Sequence, residues 1–526
     1  MDQDETLRLF KKGRDAWNDW ARKKLRERQD LIKGDQPITL WRDEARADFR
    51  TRQFDHADFS HFVFPAEANF ARAVSLGEAN FAHARFFGDA NFERAIFKRS
   101  VTFQDAKFHK QANFSHAEIL IKPSNFSEVI FAGQASFTNT DFQEQSAFQQ
   151  TCFLNAVDFS HATFSKASNF DRCRFGDDAN VKSVTFRGVS IWTNARFRNS
   201  ASFGEAIFVK GARFSSATFE GAANFVETHF EENVYFRRTV FLATANFSGT
   251  EFQNALFQLA NFEHSEFAGA ARFERARFGG LANFRNSHFQ EAANFNAIRA
   301  ESSFDMAGAT FYCDVPNFIQ AHFPEAPRLD HIHVPTVAAL RRASAPVGTY
   351  ATARYRALKR LAIQGHDYDR ELQFFADELL SQQQTVWSAR NWFVDLYGLI
   401  SDFGRSITRP LAGWLWTAAL FAGLYAGVHD MRDVPSDNCE GSSPTLLSIF
   451  FSVQRGLVFP GLGQSQQLDR VHSCLFGTAT MSADGSERVI PDIDGAVAVA
   501  GMLQSLISAL LIFLILLAVR NRFRIK

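Results

Sequence analysis

"ANFERAIFKRSVTFQDAKFHKQANF" (residues 90–114) places Phe at 92, 97, 103, 108 and 114, in steps of five, six, five and six. Small residues stand two places before most of these rings: Ala90, Ala95, Ala106 and Ala112. In an extended chain residues i−2 and i point the same way, so the small and the large side chain both turn inward and the polar residues between them face water. A helix fails the same test. Five residues turn it by about 500°, which sets successive Phe about 140° apart and spreads them over two stripes instead of one seam. The 11-residue period of a right-handed coiled coil is therefore set aside, and the steps are also rich in Asn, Ser, Thr, Phe and Gly, which are indifferent or poor helix formers.

Outward from this stretch the beat runs from about Phe54 to Phe323, and "ANF" occurs nine times, with Asn at 69, 80, 91, 113, 224, 246, 261, 283 and 294. Phe203 sits on the same beat, near Ala206, Ala212, Ala217 and Ala223. A fixed period of this kind calls for a repeat architecture. Four short segments close one coil, two of the four corners take an extra residue, and the coil is then 22 residues long. About 12 coils at ~4.8 Å each give a β-solenoid on the order of 58 Å long. The chain holds 60 Phe against 7 Tyr and 8 Trp, as one structural slot filled many times requires. Each buried Phe contributes roughly 2–3 kcal/mol, so Phe92, Phe97, Phe103, Phe108, Phe114 and Phe203 are read as core. The beat slips between Ile119 and Phe126 around Pro123, runs in straight fives from Phe247 to Phe267 and decays after Phe295. Bulges or loops are expected there.

The pattern resembles the pentapeptide-repeat family in its Phe-centred variety, whose loose motif A-(D/N)-(L/F)-x-x fits from about residue 54 to 323. "DAWNDW" (residues 15–20) resembles the helix that often precedes such repeats. The resemblance implies a right-handed, four-sided β-helix. Some members of the family are acidic DNA mimics, but residues 54–323 carry 28 acids against 24 bases, a mixture that does not suit that role.

Beyond the solenoid (51–325) the sequence divides as follows. Residues 1–50 contain an amphipathic helix over 3–33, with Leu7, Phe10, Trp17, Trp20 and Leu31 placed to cap the first coil. Its basic run at 22–28 is either a solvated face or a contact for membrane or nucleic acid. Pro324, Pro327, Pro335 and Pro346 mark a linker, 326–349. Residues 350–384 read as a helical hairpin broken near Gly365, and the aromatic stretch 385–410 as an interfacial helix. Residues 411–428, 18 without a charge, are long enough to cross a bilayer or to form a buried core helix. Residues 495–519 are 25 uncharged residues and read as a second span, with 520–526 a basic tail. Arg405 and Arg409 precede the first span; Arg520, Arg522, Arg524 and Lys526 follow the second. The loop 429–494 holds nine acids and four bases. By the positive-inside rule both termini and the solenoid face the cytoplasm, at the inner or plasma membrane.

The totals are balanced, 57 Lys plus Arg against 57 Asp plus Glu, which argues against a nucleic-acid partner. No phosphate-binding Gly loop, G-x-S-x-G or H-E-x-x-H occurs, so no enzyme, cofactor or metal is expected; the H-x-H of His331 and His333 is a lone pair in a Pro-rich segment. Cys439 and Cys474 flank the outer loop and form either a disulfide or two independent thiols. Gly423, Gly427 and Gly501 offer close helix packing. The reading is a membrane-anchored cytoplasmic scaffold that binds a protein on its solenoid, touches the lipid bilayer and forms a homo-oligomer. The alternative is an oligomeric two-span pore-loop channel, with 444–463 re-entrant and Gly461, Gly463, Gln504 and Ser508 lining the path.

Overall fold

The computed structural model describes residues 1–253, 259–343, 349–383, 389–432, 443–457, 466–483, 486–491 and 495–523. It separates into two compact units, 1–366 and 367–526.

In the first unit the motif explains its own corner. In Ala90-Asn91-Phe92-Glu93-Arg94-Ala95, the strand Ala90–Asn91 turns Ala90 inward and Asn91 outward. The Asn91 side-chain oxygen accepts from the Glu93 N–H at 3.0 Å, the Ala95 N–H donates to the Phe92 carbonyl at 3.0 Å, and Arg94 takes φ 55°. Positive φ at the third residue of a hydrogen-bonded turn is the type II pattern. Asn or Asp before the ring thus closes the turn, which is why "AN" and "AD" recur. The strand Ile96–Phe97 follows, then a wider corner, and the same two-strand pattern recurs in Val101–Thr102 and Lys107–Phe108 to complete the coil.

Repetition yields four parallel sheets of 12 strands each. The first runs from Ala47–Asp48 to Ala293–Asn294, the second from Gln53–Phe54 to Arg299–Ala300, the third from Ala57–Asp58 to Phe304–Asp305 and the fourth from Val63–Phe64 to Thr310–Phe311. Rings one coil apart stack face to face, as Phe92 on Phe114 at 4.7 Å and 1°, and Phe86 on Phe108 at 4.5 Å and 3°. Rings of the two central ladders meet edge to face, as Phe92 with Phe103 at 5.3 Å and 85°. The edge-to-face contacts suit the ring quadrupole, and the parallel stacking follows from the coil-to-coil repeat. Buried Thr140, Thr151, Cys173, Thr228 and Thr250, at the slot Ala95 fills here, each donate to the carbonyl of a Phe in the coil before, so the slot accepts a hydroxyl or thiol without leaving it unpaired.

The three irregular places behave differently. At 119–126 the extra residue goes into the corner and the ladder continues, with Ser124 opposite Val101. From Phe247 to Phe267 the equal steps are not equal sides. Val234 pairs with Ala260, 26 residues on, and Phe262 stacks on Phe236 and Phe284, so one side absorbs an insertion; Phe257 lies outside the described residues. After Phe295 the two sizes exchange places. Ala300 stands opposite Phe278 and Phe304 opposite Ala282, which keeps the core volume.

Both ends of the rod are closed. The expected helix over 3–33 breaks at Gly13 (φ 89°) into α1 (Gln3–Lys11) and α2 (Arg14–Lys33), followed by α3 (Thr39–Ala45). Phe10 stacks on Phe59 at 4.7 Å, and Trp17, fully buried, donates to the Val63 carbonyl at 2.9 Å. Asn18 donates to the His61 carbonyl and accepts from the Val63 N–H, giving the open edge the partners a further coil would supply. At the other end the segment expected as a linker begins as a last, irregular turn. Arg328 and His333 bridge to Asp305 and Thr310, and Phe318, Phe323, Leu329, Ile332 and Val334 are buried. The helices α4 (Val337–Arg342) and α5 (Thr349–Gln364) cover it, with the buried Tyr355 donating to the Pro335 carbonyl at 2.6 Å. The hairpin expected over 350–384 is accordingly divided: α5 belongs to the first unit and α6 (Tyr368–Ser381) to the second.

The second unit continues with α7 (Ala389–Ser401), α8 (Thr408–Arg432), α9 (Pro444–Gly456), α10 (Gln466–Phe476), a hairpin of Thr478–Ala483 and Ser486–Pro491, and α11 (Gly495–Arg522). The chain breaks between α7 and α8 at Asp402, Phe403 and Gly404, all at positive φ.

Candidate functional site: the edges of the rod and the apolar helices

The interior of the rod is occupied by rings, so its chemistry lies outside. Each strand contributes one outward side chain and each corner two or three. Charges of both signs alternate over this surface, with coil-to-coil pairs such as Lys210–Glu232 at 2.6 Å and Arg237–Glu263 at 3.2 Å. One edge differs. Leu154, Leu242 and Tyr312 are 55%, 50% and 53% exposed, and each directly follows a Phe of the fourth sheet. They therefore line up along a single corner, with Phe87 and His109 stacked at 4.5 Å near its start. Burial, then the Arg85 and Lys107 charges, hold the His109 ring below the ordinary histidine range. Beside the N-terminal cap lies a groove of about 440 Å³, lined among others by Arg28, Trp41, Arg42, Arg46 and Lys110. On another corner His61 stacks on His83 at 4.5 Å and His83 meets Asp105 at 2.9 Å. His331 is a corner residue at φ 56° and His333 bridges to Thr310, so the H-x-H serves the last coil.

In the second unit α8 and α11 are apolar and long enough to cross a membrane. Only 22% and 28% of their most apolar windows are buried, and Trp416, Leu420, Met502, Leu506 and Phe513 stand exposed. A core helix of a soluble protein would hide these side chains. Helix α9 packs against both. Tyr425 donates to the Gln504 side-chain oxygen at 2.9 Å; the Gln504 amide nitrogen donates to the Ser452 carbonyl at 2.8 Å and hydroxyl at 2.7 Å; the Ser452 hydroxyl donates to the Ala418 carbonyl at 2.7 Å. One fully buried amide thus ties α8, α9 and α11 together. Tyr425, Phe451, Leu475, Phe476 and Val497 pack together beside this junction.

The expected core rings Phe92, Phe97, Phe103, Phe108, Phe114 and Phe203 are all buried, at most 5% exposed. Gln504 and Ser508 are brought together inside the helix packing, Gln504 with both amide atoms engaged and Ser508 against Gly456. Gly461 and Gly463 lie outside the described residues, and the channel reading finds no support among the residues that are described. Gly501 lies 3.8 Å, measured from a Cβ position, from the Tyr425 hydroxyl. No described atom comes within 4 Å of such a position on Gly423 or Gly427; Gly413, by contrast, meets Leu511 at 3.4 Å. Cys474 is buried and disulfide-bonded, Cys152, Cys173 and Cys313 are free, and Cys439 lies outside the described residues. Sequence reasoning missed Trp41, Tyr425 and Ser452. The last two act across 79 and 52 residues of chain, which no local spacing reveals.

The family model described as "Pentapeptide repeats (9 copies)" matches residues 59–107, 75–118, 92–140, 170–218, 182–228, 214–258 and 252–299. No curated protein and no solved structure matches the chain.

Proposed function

Through its solenoid this chain belongs to the pentapeptide-repeat family, and on that premise we propose that it is a membrane-anchored scaffold that presents the rod to a protein partner. The observation that carries the reading is one chain joining a rod filled by its own rings to two helices whose apolar surface is mostly uncovered. A filled rod offers only its exterior, and Leu154, Leu242 and Tyr312, spaced along one corner with Gly176, Arg198 and Glu220 between the first two, supply apolar contact points on a mixed-charge surface. Arginines beside both spans, against an acidic intervening loop, favour a cytoplasmic rod at the inner or plasma membrane. The mixed charge favours a protein over a nucleic acid as partner. In the loop between the spans the reading pairs the disulfide-bonded Cys474 with Cys439.

The test places a photo-reactive side chain at Tyr312 in the full chain in cells. Capture of one defined protein is expected, and Leu154→Arg combined with Leu242→Arg should abolish it without lowering the hydrogen-exchange protection of the coils that carry them. Capture of no protein, or capture indifferent to the two arginines, refutes the docking edge. Release of the chain from membranes by alkaline carbonate refutes the anchor.

A further inference from the structure

Helix α9 reaches the middle of the apolar layer. Its Ser452 is bonded to Ala418 and Gln504, which lie near the centres of the uncharged stretches 411–428 and 495–519. One turn further, the Arg455 carbonyl accepts from Ser505 at 3.2 Å, and Gly456 accepts from the Trp414 indole at 3.2 Å. The Arg455 carbonyl is therefore level with Ser505, in the middle third of the stretch 495–519. Half of a ~30 Å hydrocarbon core is ~15 Å, farther than an arginine side chain can reach to either surface.

Arg455 is nonetheless an exposed residue on this chain. Its guanidinium lies 5.3 Å above the Phe451 ring and its Nε is 3.9 Å from a Cβ position on Gly501. No described carboxylate pairs with it, and the sequence holds none at this depth: residues 411–428, 444–468 and 495–519 contain neither Asp nor Glu. A charge facing hydrocarbon is strongly disfavoured, and intramembrane arginines accordingly face other helices or water. The flank around it is small and polar, with Gly501, Ser505 and Ala509 on α11, unlike the flank carrying Leu503, Ile507 and Leu510.

We infer that the α9–α11 flank bearing Arg455 and Ser505 faces a second copy of this chain, across a hydrated seam. A second copy is the occupant because every copy carries the same uncovered charge, and closed rotational symmetry shields all of them with the chain's own surface. The seam is wet because two cationic faces cannot pack dry, and small side chains leave room for water. This rests on the anchor reading given above.

The test uses the full chain in lipid vesicles, with Cys152→Ser and Cys313→Ser to remove the accessible thiols. Ser505→Cys is expected to give a product of doubled mass with a bis-maleimide, and Leu503→Cys, on the opposite flank, to give none. Native mass spectrometry of the unaltered protein should show a discrete multiple of the chain. A carbonate-resistant chain that is a single copy, or that cross-links equally at both positions, overturns the seam and leaves the anchor standing. A chain extracted by carbonate overturns the anchor, and the seam with it.

Discussion

Trp192 and Val181 provide the sharpest test of how the rod is packed. Trp192 takes a ring position of the central ladder, stacked 4.0 Å from Phe170 and 5.9 Å from Phe214. In the facing ladder the position between Phe159 and Phe203 is Val181, and both residues are fully buried. An oversized side chain thus follows an undersized one, which conserves volume. Trp192→Phe opens space and strands the Ser190 hydroxyl that accepts the indole N–H at 2.6 Å, together about 2–3 kcal/mol. Val181→Phe overpacks by about 1–3 kcal/mol. In the double variant the new ring fills the space the indole vacated, and only the Ser190 orphan remains, about 1 kcal/mol. The coupling is therefore about 2 kcal/mol or more. A repeat rod unfolds in parts, so a global midpoint is the wrong measure; native-state hydrogen exchange at the Val181, Trp192 and Phe203 amides reads the coil itself. The double variant should be protected at least about 30-fold beyond the additive expectation, and adding Ser190→Ala should bring it close to the parent. Additive losses would refute the shared-volume argument.

Three further outcomes follow from the same geometry. Phe203→Asp puts an unpaired charge among stacked rings and should abolish folding of its coil, whereas the outward Arg198→Ala should stay within about 0.5 kcal/mol; equal losses of exchange protection would invert the inward assignment. Gln504→Leu leaves the Tyr425 hydroxyl without its acceptor and removes the amide donor at Ser452, and should lower stability to detergent-induced unfolding by about 1–2 kcal/mol; no change would mean that this junction does not hold α9. In the folded protein a maleimide should label the exposed Cys313 and spare Cys173, whose thiol burial pushes well above its usual range; comparable labelling of the two would contradict the packed coil.

What the sequence made legible follows from repetition. A side chain that must point inward every five or six residues announces itself, so the rings, the four sides and the coil length could all be read. Where the rule is broken once, the sequence is ambiguous. Equal steps from Phe247 to Phe267 look like four regular sides, but only the pairing of Val234 with Ala260 shows that one side contains an insertion. The exchange of Ala300 with Phe304 looks like decay until the neighbouring Phe278 and Ala282 are placed beside them. Gly13 breaks a pattern that is amphipathic on both sides, because periodicity does not register a single positive φ. The junction of Tyr425, Ser452 and Gln504 is a contact between helices, and its members share no local spacing.

The corners connect the fold to its use. Among the described residues, twenty-four other than glycine, between Thr51 and His331, hold φ between 52° and 62°, among them His, Arg, Glu, Gln, Asn and Ser. A left-handed conformation costs such a residue roughly 1 kcal/mol, and glycine, found there at Gly249 and Gly308, would adopt it freely. Glycine would also enlarge the entropy of the unfolded chain, which offsets part of that gain, and it would erase the side chain. The inward positions are fixed by ring stacking and the Asn positions by turn closure. The corner residues are bound by neither requirement, and their side chains project from two edges along the whole length of the rod. Their identities can change without altering the core, which leaves a rigid, evenly spaced row of positions free to specify a partner.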